Sequence, residues 1–125
     1  KERLGEEKTV VLLRKDGNIA LRKRPKTGLL AGLWEFPNAE GALDEPSAAA
    51  AVAAMGLTAI DWRSRLTAKH IFTHVEWRMT GYALTVRGEG PADLVWVDAS
   101  GLAERSVPSA FARYSEVANE MLTEK

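Results

Sequence analysis

The chain has 125 residues, of which 46% are hydrophobic and 27% charged, and its 17 Lys and Arg balance 17 Asp and Glu. This composition fits one globular domain, and zero formal net charge excludes a nucleic-acid binder that relies on overall positive charge. Because the chain has no cysteine, it cannot hold a disulfide, a thiolate nucleophile, a Cys-ligated zinc or an iron-sulfur cluster.

No apolar run reaches the roughly 20 residues that cross a bilayer, and the charged residues 1–8 precede no signal-peptide core. We therefore predict an intracellular, soluble domain without a membrane span. Residues 1–8 are interpreted as the remainder of an interdomain linker and residues 9–125 as the domain. A start at Lys1 rather than Met also suggests a piece of a longer protein.

Turn and helix signals divide the chain into strands and two helices. Asp16-Gly17 between two apolar runs predicts a β-hairpin, and residues 29–37 form a further apolar segment that stops at Pro37. Residues 44–47 carry the acids and proline of a helix start, and Gly56 ends the alanine-rich run that follows.

Strands are predicted near residues 60–66, 71–86 and 94–97. The last helix is predicted to begin at Pro108, with Ser106 in its N-cap region and apolar residues at spacings of three and four. The order predicts an α+β fold, with a mixed β-sheet flanked by helices.

Both histidines lie in residues 69–77. In an extended chain, His70, Phe72 and His74 would lie on the face opposite Ile71 and Trp77. Two interpretations stay open, namely packing alone or ligand contact by Phe72-Thr73-His74. A metal pair is not favoured, since two histidines four residues apart on a strand stand roughly 13 Å from each other.

A group of cations gathers near the ends of the first two apolar segments. Its members are Arg14, Lys15, Arg22, Lys23, Arg24 and Lys26. Such a basic edge on a neutral domain is either a solvated surface or a site for phosphate groups.

Several motifs together carry a family resemblance. Arg24-Pro25, residues 32–37 (Gly-Leu-Trp-Glu-Phe-Pro) and a helix closed by Gly56-Leu57 resemble the front half of a Nudix domain. Residues 70–74 (His-Ile-Phe-Thr-His) and 107–111 (Val-Pro-Ser-Ala-Phe) narrow the resemblance to the carboxy-terminal domain of MutY-type adenine DNA glycosylases. It spans about Thr9 to Leu122 and implies a Nudix-like α/β/α sandwich.

The Nudix box is the sequence motif that indicates hydrolase activity in the family, because its glutamates hold the divalent cations that activate water. Aligning the last glycine of the box with Gly56 puts alanine at the arginine and glutamate positions, and Gly41 at the earlier glutamate position, next to Glu40. These alanines are Ala49, Ala50, Ala53 and Ala54. Since alanine cannot bind magnesium, we expect the fold without the hydrolase, and no metal site or catalytic residue in this chain.

The resemblance implies that two domains carry out separate steps of base excision repair. A missing amino-terminal domain, joined in cis and holding an iron-sulfur cluster, would flip and excise adenine from 8-oxoguanine:adenine mispairs in double-stranded DNA. The present chain, without a cofactor of its own, would read 8-oxoguanine. The residues corresponding to the family's Phe-Ser-His loop are Phe72-Thr73-His74, in which threonine keeps the hydroxyl.

By the same resemblance, Lys69, Arg22, Lys23, Arg24 and Lys26 would contact DNA phosphates. The implied protein is a monomer in the bacterial cytoplasm, associated with the nucleoid. Two alternatives remain open: an active Nudix nucleotide hydrolase, and a catalytically dead Nudix-like domain that binds a protein partner.

Overall fold

The computed structural model describes residues 3–124 and shows a mixed β-sheet with helices on both faces. The strands are β1 (Leu4–Lys15), β2 (Asn18–Lys23), β3 (Trp34–Glu35), β4 (Asn38–Glu40), β5 (Thr58–Ile71), β6 (Val75–Arg87) and β7 (Val95–Val97). The helices are α1 (Glu45–Ala54), α2 (Ala99–Arg105) and α3 (Ala112–Leu122), the last preceded by a 3-10 turn at Ser109–Phe111.

The sheet runs in the order β3-β2-β1-β6-β5, with β4 added to β1 and β7 to β2. Among the strands of residues 3–124, only β1 and β6 pair in parallel. One apolar core lies between α1 and the sheet, and a second lies between the other face and α2 and α3. The predicted α+β fold, a mixed β-sheet flanked by helices, is confirmed.

The predicted hairpin turn and the predicted start and end of the first helix are confirmed. Asp16 and Gly17 have φ angles of 51° and 80°, which suit the two-residue turn that joins β1 to β2. Asp44 caps α1, since its Oδ1 accepts a hydrogen bond from the Ser47 backbone N–H at 2.9 Å. The hydrogen bonds to Ser47 also lower the pKa of Asp44. Gly56, with φ of 80°, follows the end of α1.

The domain boundary differs from the prediction. β1 begins at Leu4, so residues 4–8, which the sequence assigned to the linker, belong to the sheet. They pair in parallel with β6, from Leu4 opposite Val75 to Lys8 opposite Met79. Backbone hydrogen bonds form this ladder whatever the side chains are. The strand can therefore include charged residues, which show no strand pattern in the sequence. The remaining linker residues 1 and 2 lie outside the described residues.

Other differences concern elements with weak local signals. Helix α2 and strand β4 were not predicted, and residues 29–37 contribute only the short β3. Ser106 does not cap the last helix; it follows α2 in the left-handed conformation, with φ of 50°. In residues 3–124, no helix is long and apolar enough to span a membrane.

Candidate functional site

Residues 72–74 form the turn between the two longest strands of the sheet. β5 and β6 pair from Thr58 opposite Arg87 to Ile71 opposite Glu76, and the chain reverses after Ile71. The interpretation of residues 69–77 as one extended strand is therefore wrong. His70 lies on β5 and His74 in the turn.

Backbone hydrogen bonds fix both sides of the turn, hereafter the tip (residues 72–74). The Phe72 N–H donates to the Val75 carbonyl at 2.7 Å, and the Leu4 N–H at the start of β1 donates to the His74 carbonyl at 2.9 Å. The tip is thus held by its own hairpin and by the neighbouring strand. A site supported in this way keeps its geometry better than a loop without cross-links.

Aromatic packing anchors the base of the tip. The half-buried Phe72 ring meets Trp77 edge-on, with centroids 5.0 Å apart, and His70 at 4.7 Å. Trp77 is only 1% exposed and contacts Phe111, at 5.9 Å between centroids. Edge-to-face pairs of this kind contribute about 0.5 to 1.5 kcal/mol beyond burial. Phe72 therefore links the tip to the core under α3.

Thr73 and His74 are exposed at the end of this support. In the described part of the chain, neither side chain takes part in a hydrogen bond or a salt bridge. The Thr73 hydroxyl and the His74 imidazole can therefore donate to or accept from a ligand. The arrangement suits recognition through hydrogen bonds.

Glu35 engages two of the predicted phosphate-binding residues. Its carboxylate is 3% exposed and accepts from Arg22 Nε at 2.9 Å, Arg24 Nη1 at 2.8 Å and Asn38 Nδ2 at 2.8 Å. The Arg24 guanidinium also lies 5.1 Å from the centroid of Trp77. A buried carboxylate needs such partners, so both arginines have a structural role that the sequence did not reveal.

The three predicted lysines have exposed side chains but lie in two places. Lys23 lies with its Nζ 5.3 Å from the Trp34 ring centroid, and Lys26 follows in the loop after β2. Lys69 lies on β5, the edge strand on the far side of β1 and β6. At about 4.8 Å between neighbouring strands, β2 and β5 are roughly 14 Å apart. The structure thus does not bring the predicted cations together as one patch.

Helix α1 carries the four alanines at the box positions, and three of them, Ala50, Ala53 and Ala54, are exposed. Their methyl groups offer no ligand for a cation. Across residues 3–124, no three His, Asp or Glu side chains form a group that could hold a metal ion.

Sequence comparison relates the chain to a family and to larger proteins. A family model described as NUDIX domain matches residues 9–116. Over 83 residues, the chain is 34% identical to the adenine DNA glycosylase of Rattus norvegicus, covering 59% of the chain and 16% of the relative. For the Homo sapiens glycosylase, the identity is 34% over 86 residues, or 62% and 15% of the two chains. The chain thus spans about a sixth of the length of these curated relatives.

Solved structures share the fold at lower identity. The C-terminal domain of mouse MUTYH, crystallised in a complex with human PCNA, matches with a TM-score of 0.62 and 22% identity over 92% of this chain and 87% of that chain. The MutT protein from Methanosarcina mazei Go1 matches with a TM-score of 0.68 and 15% identity over 99% of both chains.

Proposed function

The chain belongs to the NUDIX domain family, and we propose that it uses this fold to recognise 8-oxoguanine in double-stranded DNA, as the lesion-reading part of an adenine DNA glycosylase. The observation that carries the proposal is the exposed Thr73 hydroxyl on a tip fixed by two backbone hydrogen bonds and by the Phe72–Trp77 contact. The similarity to the two mammalian glycosylases supports it.

The chemistry of the lesion matches the groups at the tip. Oxidation of guanine converts N7 from a hydrogen-bond acceptor into an N–H donor and adds a carbonyl at C8. An acceptor placed at that point therefore distinguishes the lesion from guanine. Thr73 Oγ1 supplies the acceptor. The imidazole of His74 reads the exocyclic amino group, and Phe72 holds the loop in place.

Adenine excision belongs to another part of such an enzyme. A target base must be flipped out of the duplex into a pocket before its glycosidic bond can be cut, and we assign that step to an amino-terminal domain joined in cis. That domain would hold the iron-sulfur cluster. The present chain acts as a monomeric reader in base excision repair at the nucleoid, and takes no catalytic role itself.

Phosphate contacts orient a reader on the duplex without reading its sequence. We assign these contacts to Lys69 and, on the other side of the sheet, to Lys23 and Lys26, whose side chains are exposed. Arg22 and Arg24 hold Glu35 in the folded chain, so their first role is in stability.

The test replaces the Thr73 hydroxyl. Thr73→Val keeps the β-branched shape and removes the acceptor, so the lesion N–H loses its partner at a cost of roughly 1 to 3 kcal/mol. The ratio of the dissociation constants for duplexes with guanine and with 8-oxoguanine opposite adenine should fall by about 5- to 150-fold. Fluorescence anisotropy with the 125-residue chain measures both constants.

Thr73→Ser is the matched control, because it keeps a hydroxyl and should keep the preference for the lesion. Melting temperatures of both variants should equal that of the unmodified chain, since Thr73 is exposed. An unchanged ratio in Thr73→Val at equal stability would show that the hydroxyl is not the reader.

The shared MutT fold makes nucleotide hydrolysis the second candidate. A hydrolase would release phosphate or pyrophosphate from nucleoside triphosphates in the presence of magnesium. Alanine at the box positions argues against this activity, because magnesium needs oxygen ligands there. Magnesium-dependent release by the chain, at a rate above that of the buffer, would favour the hydrolase.

A further inference from the structure

An open face of the β5–β6 hairpin forms a groove that leads away from the tip. Directly paired residues of antiparallel strands point to the same face of a sheet. The register pairs Arg65 with Tyr82, Thr67 with Thr80, and Lys69 with Arg78. Helix α1 packs near Tyr82 and the residues after it, so the part of this face that is nearer the tip is left uncovered.

Two adjoining cavities define the groove. One has a volume of about 400 Å³ and is lined by residues that include Thr67, Lys69, Arg78 and Thr80. The next has about 360 Å³ and is lined by Arg65, Tyr82 and the segment before α1, and it shares Ala42 and Thr80 with the first. Together they form one continuous depression along the hairpin.

The wall of the groove, residues 42–45, is fixed to the sheet. The Tyr82 hydroxyl donates to the Leu43 carbonyl at 2.8 Å. Thr9 Oγ1 donates to the Gly41 carbonyl at 2.7 Å and accepts from the Leu43 N–H at 2.8 Å. The groove therefore exists before any ligand arrives.

The three cations that line the groove differ in whether a nearby carboxylate neutralises them. Arg78 lies 3.7 Å from a Glu7 carboxylate oxygen and 3.4 Å from one of Glu76. By contrast, Arg65 and Lys69 make no salt bridge or side-chain hydrogen bond to any residue in the 3–124 range. Lys69 also stands directly opposite Arg78, and like charges directly opposite each other on neighbouring strands are unfavourable.

Two of the three acidic residues that line the groove have other roles. Glu7 is paired with Arg78, and Asp44 caps α1. Glu45 lies on the wall, at the start of α1. The row from Lys69 to Arg65 on β5, with the hydroxyl of Thr67 between them, is therefore the part of the groove that suits an anion.

We propose that this groove binds the phosphodiester backbone of the DNA strand whose base lies at the tip, with Arg65 and Lys69 as its phosphate-binding residues. The inference rests on the proposed function and extends it. Arg65 and Lys69, four residues apart on a strand, are separated by roughly 13 Å.

A linear polyanion fits the groove better than a protein partner does. Threonine hydroxyls and basic side chains are common phosphate ligands, whereas protein interfaces centre on buried aromatic or apolar anchors. The groove also continues from the tip along the same hairpin, so one strand of a duplex can contact both. Arg65 was not singled out in the sequence, because only the strand register places it in line with Lys69.

The experiment measures the salt dependence of DNA binding by the 125-residue chain. The double variant Arg65→Gln/Lys69→Gln should lower affinity for lesion and undamaged duplexes by the same factor. It should also reduce the slope of log affinity against log salt concentration by about 1.8, because each lost phosphate contact contributes about 0.9. The preference for 8-oxoguanine should remain.

Arg87→Gln/Arg113→Gln is the matched control, because it removes the same charge from two exposed sites outside the groove. It should leave the slope unchanged. An equal reduction of the slope in both double variants, an unchanged slope in the groove variant, or no DNA binding by the unmodified chain would overturn the proposal.

The proposed function and the groove proposal can be refuted independently of each other. Loss of the lesion preference in Thr73→Val tests the tip, and the change in salt slope tests the groove. A chain that binds DNA through Arg65 and Lys69 but shows no preference for 8-oxoguanine would retain the groove and refute the proposed function.

Discussion

Replacing Arg24 should weaken folding rather than DNA binding. Arg24→Gln removes the 2.8 Å bond from Nη1 to the buried Glu35 carboxylate and the 2.9 Å bond from Nε to the Leu29 carbonyl. It also removes the cation over Trp77. Hydrogen bonds to charged groups contribute about 1.5 to 3 kcal/mol each, and a cation over an aromatic ring about 0.5 to 2.

The remaining partners of Glu35 limit the loss. Arg22 and Asn38 still donate to its carboxylate in the variant, so the cost falls below that of an unpaired buried charge, about 3 to 5 kcal/mol. We expect Arg24→Gln to lower the free energy of unfolding by about 2 to 4 kcal/mol. Urea denaturation followed by tryptophan fluorescence measures this quantity.

A double-mutant cycle isolates the bond itself. Glu35→Gln removes the carboxylate charge, and its combination with Arg24→Gln should cost less than the sum of the single changes, with a coupling of about 1.5 to 3 kcal/mol. A coupling below about 0.5 kcal/mol would refute the role assigned to this ion pair. At temperatures where Arg24→Gln is folded, its salt slope for DNA binding should match that of the unmodified chain.

The contact between β6 and α3 supports two further predictions. An added Cβ at Gly81 would lie 2.2 Å from Cε1 of the buried Tyr114 ring. Gly81→Ala should thus cost about 1 to 3 kcal/mol in urea denaturation, and equal stability would show that the ring can move. Burial raises the pKa of Tyr114 to about 12, above the ordinary value for tyrosine. The folded state keeps the Tyr114 proton up to a higher pH than the unfolded state does. The contribution of Tyr114 to the free energy of unfolding is therefore complete below about pH 10 and declines as the pH rises toward 12. Tyr114→Phe should lack that decline, whereas identical pH profiles would contradict it.

The elements that were predicted correctly have signals within a few neighbouring residues. Asp16-Gly17 supplies the two left-handed residues that its turn requires, and Asp44 supplies the cap that starts α1. Helix α2 had a similar cap in Asp98, whose Oδ1 accepts from the Gly101 N–H at 2.8 Å. Its first turn contains serine and glycine, which are weak helix formers, so the pattern did not indicate a helix.

The site was predictable only in part, because its geometry depends on which strands pair. The family resemblance predicted a loop at residues 72–74, which the structure confirms, whereas alternation of side chains had predicted an extended strand through the same residues. Arg22 lies opposite Glu35 in the β2–β3 ladder, a contact between residues 13 positions apart. No local pattern distinguishes an arginine that neutralises a buried carboxylate from one that is free for phosphate.

Under the proposed function, the β5–β6 hairpin carries the whole ligand-binding surface. Near Tyr82 and Leu84, the hairpin contributes to the core under α1. Further along, Trp77 joins the core on the opposite face. Between these anchors, the face with Lys69 and Arg65 is open, and the exposed tip follows it. Both ends of the proposed binding surface are thus attached to packed residues, so we expect substitutions in the exposed rows to alter DNA binding with little effect on folding.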